Sequence, residues 1–495
     1  MPKNLKINAL SSAAQVILNM GLMIVLYKQM VIYLGTERLG VWAIVLSSTA
    51  FFNLSNLGIT NGITPFVSSF HSQNDWAKII QTIQTAFGLT IGITSLLGTI
   101  IYCIIFFLVP YVIEPTYQAE TRDILPLAMV SFWINTLAGV FMSSLDGLHK
   151  MYLRSIISSI ASIFYLVLSI FLVRFWGLVG LACSQNAQAI IILIAGIVLL
   201  KRELQTWSFL SLRLERAILK KLFSYGLNFQ LMYVAQVVSD PLTKLLVAKF
   251  GNLQSVAFYE MGIKVVGVFR NILVSANQAI VPTVASKSAS TSLLSLYSQN
   301  FTIIRTLSFL IYPAFISWGW FISEAWLGQV IPQFEQYLCI IALGFCCNTL
   351  SLPCHFINIG TGHLPSNVKA TLVSTVVMLV LGFGLGWAFG AKGVITAWSI
   401  SAGAGTCSLI FSFKKQYPHS WSIYSLNLSD FIILMSNIAP VLCFWFCNEY
   451  LPSWSFWQKT SLCLSVYSVI LLFAVRKTLL FSFVRAWLLP IFRKF

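Results

Sequence analysis

Charge is what this chain has least of. Only 9% of its 495 residues are Asp, Glu, Lys or Arg, where soluble domains carry about a quarter. With 58% hydrophobic residues and a mean hydropathy of +0.83, that scarcity excludes a water-soluble globular protein. Polar stretches long enough for a soluble domain are also missing. The longest loop that the topology below places outside, PYVIEPTYQAETRD, has 14 residues and no convergent catalytic set. No GxxxxGK[ST] occurs, so the chain has no phosphate-cradling loop with which to hydrolyse ATP. CxxC is absent too. The ten cysteines fall in apolar runs, where cysteine acts as a small hydrophobe, so metal: none and cofactor: none are the expectations. His71, His149, His355, His363 and His419 show no ligand spacing and read as interface residues. GFGLGWAFG imitates a nucleotide loop, but Gly382, Gly386 and Gly390 recur every fourth residue inside a span, the spacing of a close helix-packing ridge.

What is present is a series of apolar runs of about 20 residues, each long enough to cross a bilayer as a helix. The spacing predicts an all-α polytopic membrane protein with about fourteen transmembrane helices, near 9–34, 40–66, 82–109, 124–145, 155–174, 178–200, 223–249, 255–282, 301–322, 334–358, 368–389, 393–413, 430–448 and 460–475. The basic N-terminus leads straight into a full-length span and reads as a signal anchor. With both termini cytoplasmic, 20 Lys and Arg fall in inside segments and 6 in outside segments, as the positive-inside rule requires. Glu114, Glu120, Asp123, Glu324 and Glu335 fall outside. The net charge of +17 is thereby explained by membrane topology, with no nucleic acid partner.

The chain repeats itself. Lys28 lies seven residues before Gly35 and Lys244 seven before Gly251; Trp42 and Phe258 follow at the same offset of 216. Pro65 and Pro282 close the two segments at an offset of 217, and the turns GLVG (Gly177, Gly180) and GAKG (Gly390, Gly393) are 213 apart. This predicts two six-helix lobes around a central cavity plus two C-terminal helices: residues 1–200, a basic cytoplasmic connector 201–222, 223–415, and 416–495, which ends in a basic amphipathic tail. Internal symmetry of this kind is a mark of secondary transporters, whose substrate site lies at the repeat interface.

Five basic residues remain inside spans: Lys28, Lys244, Lys264, Arg270 and Arg305. Facing lipid, they would cost on the order of 12 to 18 kcal/mol together, so each must snorkel, pair or face water. Lys28 and Lys244 are within snorkelling reach of their turns, about 10 Å along a helix, or face the cavity. Lys264 has Glu260 four residues before it as a pairing partner. Arg270 lies deepest and has no local partner. Arg305 is about one turn inside its helix end and reads as interfacial. Asp240, before Pro241, is either a kink residue paired to Lys244 or, with Glu260, a site coupling transport to H+ or Na+. Basic residues inside the membrane outnumber acidic ones by 5 to 2, so a cavity built from them attracts anions.

The stretch YLGTERLGVWAIVLSSTAFFNLSNLGITNGITPFVS resembles the early segment of polysaccharide-export flippases in the multidrug/oligosaccharidyl-lipid/polysaccharide (MOP) superfamily. In those proteins a G-x-x-x-x-G-x-W/Y turn leads into an "slDlGi" helix. The matching residues are Gly35, Gly40 and Trp42, then Asn53, Leu54, Asn56, Leu57, Gly58 and Ile59. Asn56 stands where the family often has an acid, which removes one coupling carboxylate. The resemblance implies a multi-pass protein of the bacterial inner membrane. It would translocate undecaprenyl-pyrophosphate-linked oligosaccharide, such as an O-antigen or similar surface polysaccharide unit, from the inner to the outer leaflet by alternating access. Arg270, Lys264, Lys28, Lys244 and Arg305 would then bind the anionic headgroup. Membrane lipids, H+ or Na+ and a glycan polymerase are the implied partners. The rivals are other MOP-fold exporters, for lipid II, teichuronic-type polymers or drugs, and a membrane glycan polymerase or ligase.

Overall fold

The structure, a computed structural model, describes residues 3–49, 59–206, 208, 211, 215, 239–278, 290–361, 363, 365–417, 428–451 and 454–476. Among these residues all regular structure is helical. In chain order the helices are Lys3–Thr49, Ile59–Ser72, Trp76–Val112, Pro115–Gly147, Met151–Leu204, the described part 239–250, Leu253–Gln278, Ser290–Ser317, Gly319–Leu327, Pro332–Thr349, Leu352–Thr361, Pro365–Gln416, Leu428–Ser436, Ala439–Tyr450 and Phe456–Arg476. Each of the fourteen predicted spans falls wholly or partly on one of them. The chain divides into two compact units, Met1–Glu260 and Met261–Phe495.

Three of the longest helical stretches are pairs joined by a single glycine. Gly35 (φ 79°, ψ 172°), Gly177 (φ 55°, ψ −133°) and Gly390 (φ 62°, ψ −148°) break Lys3–Thr49, Met151–Leu204 and Pro365–Gln416. That region of φ/ψ is open essentially to glycine alone. For Gly177 and Gly390 the repeat seen in the sequence is therefore a repeat of geometry, whereas Gly251, the counterpart of Gly35, has no positive φ and lies between two helices. In the first hairpin a Cβ on Gly180 would collide with the Leu172 carbonyl, and in the second a Cβ on Gly393 would collide with that of Leu385. The colliding partners are again 213 residues apart, so both hairpins close by the same backbone approach. The glycine ridge needs one correction. Gly382 and Gly386 are buried on a helix face, but Gly390 is the turn itself and cannot extend that face.

Which side of each helix meets lipid follows from helical periodicity. On Trp76–Val112, Leu96, Ile100, Ile104, Phe107, Leu108 and Tyr111 form an exposed stripe at spacings of three and four residues, while Ile79, Ile83 and Ala86 are buried against Val140, Phe141 and Leu145 of the next helix. Val376, Val380, Phe383 and Trp387 make a similar exposed stripe on Pro365–Gln416. Tyr111 and Trp387 are 85% and 86% exposed. Apolar surface on that scale belongs in hydrocarbon, and the protein is a multi-pass membrane protein.

The two ends of the first unit carry different charge patterns. At one end Arg38 pairs with Glu120 at 3.0 Å, Tyr117 donates to Glu37 and Arg174 donates to Tyr33. Residues 34–38, Thr116, Tyr117 and Glu120 line a cavity of about 400 Å³ there. At the other end Lys78 pairs with Asp75 at 2.6 Å, Arg154 with Asp146 at 2.5 Å and Lys150 with Glu203 at 3.3 Å. Asp75 also caps its helix by accepting from the Lys78 amide, and both Lys78 bonds hold its carboxyl below its ordinary range. The loops assigned to opposite sides from the sequence thus gather at opposite ends of the unit. Most of the connector 201–222 and of the Asn53–Ile59 motif, Pro282 and the tail after Arg476 lie outside the described residues.

Candidate functional site

Two groups of polar side chains are held inside apolar helices, one in each unit. The first is built where the copies of the repeated hairpin meet. Gly40 lies so close to Leu253 that a Cβ would overlap the Leu253 carbonyl, and Trp42 and Phe258, the aromatics at matching positions, are 2% and 0% exposed. This close approach brings residues of the first helix against residues 239–260. Lys244, 4% exposed, has its ammonium 2.8 Å from Asp240 and 2.8 Å from Glu260. Glu260, itself 1% exposed, accepts a hydrogen bond of 3.0 Å from the Tyr27 hydroxyl. The ammonium is thus enclosed between two carboxylates rather than extended toward a helix end.

The elements explain the arrangement. Asp240 and Lys244 are one turn apart on a helix, so they share a face. The Asp240 side chain is 46% exposed and reaches the ammonium from the open side; Glu260 closes it from the next helix. Asp240 and Pro241 both lie in helical conformation, and the segment before Ser239 is not among the described residues. One buried cation is shared by two carboxylates of unequal exposure, which leaves the group with one net negative charge. Lys28 follows Tyr27 in sequence and is exposed.

The second group lies in the other unit. Arg270 donates through Nε to Asn348 Oδ1 at 2.7 Å. Asn348 stands at a break: helix Pro332–Thr349 ends there and Leu352–Thr361 begins before Pro353, so a predicted single span is two helices. Its carbonyl accepts from Ser351 Oγ at 2.7 Å, and the next residue, Thr349, bonds the Tyr312 hydroxyl at 2.7 Å. Backbone freed by a proline inside a span needs such partners, or water. Among the described residues the guanidinium therefore has an amide and not a carboxylate as its hydrogen-bond partner. Lys264, two turns earlier on the same helix, is exposed.

Arg305 corrects the reading of an interfacial residue. It is 3% exposed, with Nη2 3.0 Å from Asp430, which is 1% exposed. Asp430 begins a helix 125 residues downstream, so proximity along the sequence could not have paired them. Counting Asp430, acids inside the membrane number three. Within the described residues the structure thus brings Lys244, Asp240 and Glu260 together, places Arg270 in a separate polar group of its unit, and gives Arg305 its own acid. Sequence reasoning missed Tyr27, Asn348 and Asp430. The signals were faint: a tyrosine next to a flagged lysine, an asparagine five residues before a proline inside a span, and an acid at the edge of one.

The model of the family described as "Polysaccharide biosynthesis protein" matches residues 5–288. No curated protein matches by sequence. Among solved structures, "Lipid II flippase MurJ, inward closed conformation" superposes with a TM-score of 0.69 at 14% identity, covering 95% of this chain and 98% of that one. An inward-facing multidrug resistance MATE family transporter of the MOP superfamily gives 0.68 at 13% identity, over 84% of this chain and 100% of that one. A MOP superfamily transporter from Pyrococcus furiosus, titled for the reverse polarity of its binding pocket, gives 0.52 at 11% identity, over 86% and 100%. These likenesses show the fold.

Proposed function

Because the chain belongs to the polysaccharide biosynthesis protein family, whose model matches residues 5–288, we propose that it is a flippase for undecaprenyl-pyrophosphate-linked oligosaccharide. The substrate would be an O-antigen or similar surface-polysaccharide unit. It passes from the inner to the outer leaflet of the bacterial inner membrane, with both termini of the protein cytoplasmic. The observation that carries this reading is Arg270, a guanidinium inside a spanning helix whose partner, Asn348, is neutral. A cation in a low-dielectric setting whose partner among the described residues is neutral attracts a pyrophosphate and offsets the desolvation that makes its crossing slow. Lys264, exposed on the same helix as Arg270, extends the cationic path, and Lys28 is exposed in the first unit. A pathway selecting cationic drugs would need the opposite sign.

Lys244 and Arg305, each held by acids, serve the cycle differently in this reading. The Lys244–Asp240–Glu260 group exchanges H+ or Na+ as the protein changes conformation, and Arg305 anchors the helix bearing Asp430. The emerging lipid-linked unit is delivered to a glycan polymerase at the outer face.

The deciding experiment removes the gene from its host, follows the lipid-linked unit, and complements with Arg270 variants. Loss of one surface glycan with its unit retained in the inner leaflet supports the flippase, and Arg270→Ala then abolishes complementation while Arg270→Lys retains part of it. Accumulation of unpolymerised units in the outer leaflet overturns the reading in favour of a polymerase or ligase. Near-normal export by both variants removes Arg270 from the pathway. Arrest of peptidoglycan synthesis with all surface glycans intact would transfer the assignment to lipid II.

A further inference from the structure

The last two described helices hold a cluster that the proposed transport does not use. Cys443 and Cys447 are four residues apart on Ala439–Tyr450, and Cys463 lies on Phe456–Arg476, across the short loop that joins them. Their three sulfur atoms lie within 4.8 Å of one another. Cys447 and Cys463 are 0% exposed and Cys443 is half-buried. All ten cysteines of the chain are free thiols, and among the described residues this is the group whose donor atoms converge in this way. We propose that Cys443, Cys447 and Cys463 form a three-thiolate site for a soft monovalent metal ion of the copper(I) class.

Three properties lead there. The donor set is sulfur alone, which selects a thiophilic d10 ion over hard cations. It has three members, which suits trigonal copper(I); a closed zinc site asks for a fourth ligand. The surroundings are dry and aromatic, since Cys463 packs with Trp318 and Trp320, and Phe444 stacks on Trp320 at 3.6 Å. Such a shell excludes water from the ion. On binding, each coordinating thiol releases its proton to solvent, and neither sulfur nor metal changes oxidation state. Three thiolates and one monovalent ion leave two negative charges, of which Lys459, one turn from Cys463 on the same helix face, compensates one. The site lies within two turns of the loop 451–455, a short route to the membrane surface, and an ion there ties the two helices together.

The test titrates purified full-length protein in nanodiscs with copper(I) bicinchoninate under anaerobic conditions, with X-ray absorption to identify the ligands. The expected result is one copper per chain with sulfur-only coordination. Affinity falls at least tenfold in Cys463→Ser and is unchanged in Cys103→Ser, an exposed cysteine elsewhere in the chain. Should Cys463→Ser fail to yield monodisperse protein, Cys443→Ala, at the half-buried position, carries the same expectation. Copper retention equal in wild type and the triple Cys443→Ser/Cys447→Ser/Cys463→Ser variant overturns the proposal, as do nitrogen or oxygen ligands. So does a denatured thiol count below ten in protein as isolated, because a disulfide would then hold the ligand sulfurs.

Discussion

Replacing Lys244 by Met should be among the most damaging single changes in the first unit, and a second mutation should partly repair it. At 2.8 Å from Glu260, the attraction between the two charges is about 6 kcal/mol at an effective dielectric of 20. Desolvation of both ions takes back most of it, so the pair contributes little net stability while being expensive to break. Lys244→Met leaves Glu260, 1% exposed, facing Asp240 without its cation, at about 3 to 5 kcal/mol. Asp240 can rehydrate because its side chain is 46% exposed. Glu260→Gln costs less, about 1 to 3 kcal/mol, since Lys244 keeps Asp240 and the amide oxygen still accepts from Tyr27. The double variant has no buried charge left uncompensated. It should therefore be more stable than the sum of the two losses predicts by about 2 to 3 kcal/mol. Reversible unfolding in mixed micelles, followed by tryptophan fluorescence, measures all three variants against wild type. Additivity within about 0.5 kcal/mol would refute the ion pair as the organising contact of this group.

Other outcomes follow from the same reasoning. Asp430→Asn should destabilise the second unit by about 3 to 5 kcal/mol by stranding Arg305, and the charge swap Arg305→Asp/Asp430→Arg should recover part of that loss in the same unfolding assay. Gly177→Ala and Gly390→Ala should each cost about 1 to 3 kcal/mol, because both glycines occupy glycine-only backbone conformations; unequal costs would mean that the two hairpins are not energetically alike. The Asp75 carboxyl titrates below its ordinary range, so its cap is fully present above the unfolded pKa and is lost as pH falls through the lower folded value. Asp75→Asn should remove that acid-side dependence of amide exchange protection at Lys78.

The architecture was legible in the sequence because it rests on local physics. Span length follows from bilayer thickness, and the turns at Gly35, Gly177 and Gly390 follow from a backbone conformation that other residues resist. The roles of the buried charges were not legible, for a reason equally physical. A helix face shows a residue only the neighbours three or four positions away, and this rule found Asp240 for Lys244 and offered Glu260 to Lys264. It could not see that the repeated hairpins meet so closely at Gly40 and Leu253 that Tyr27 reaches Glu260, or that a helix beginning near Leu428 brings Asp430 to Arg305. The cysteines make the same point, since the four-residue spacing of Cys443 and Cys447 was visible while the convergence of Cys463 was not.

These long-range pairings also sharpen the electrostatics. The sequence suggested a surplus of five cations over two acids as a general attraction for anions. With Lys244 held by two carboxylates and Arg305 by a third, the proposed headgroup contact rests on Arg270, whose hydrogen-bond partner among the described residues is an amide. The functional consequence is a separation of effects. Neutralising Arg270 should weaken transport with little loss of stability, because Asn348 is a neutral partner and is not left as a stranded charge. Neutralising Arg305 should lower stability first and transport only in proportion. Export measured per folded molecule distinguishes the two, and a proportional loss of fold and export in Arg270→Ala would count against a substrate-facing role.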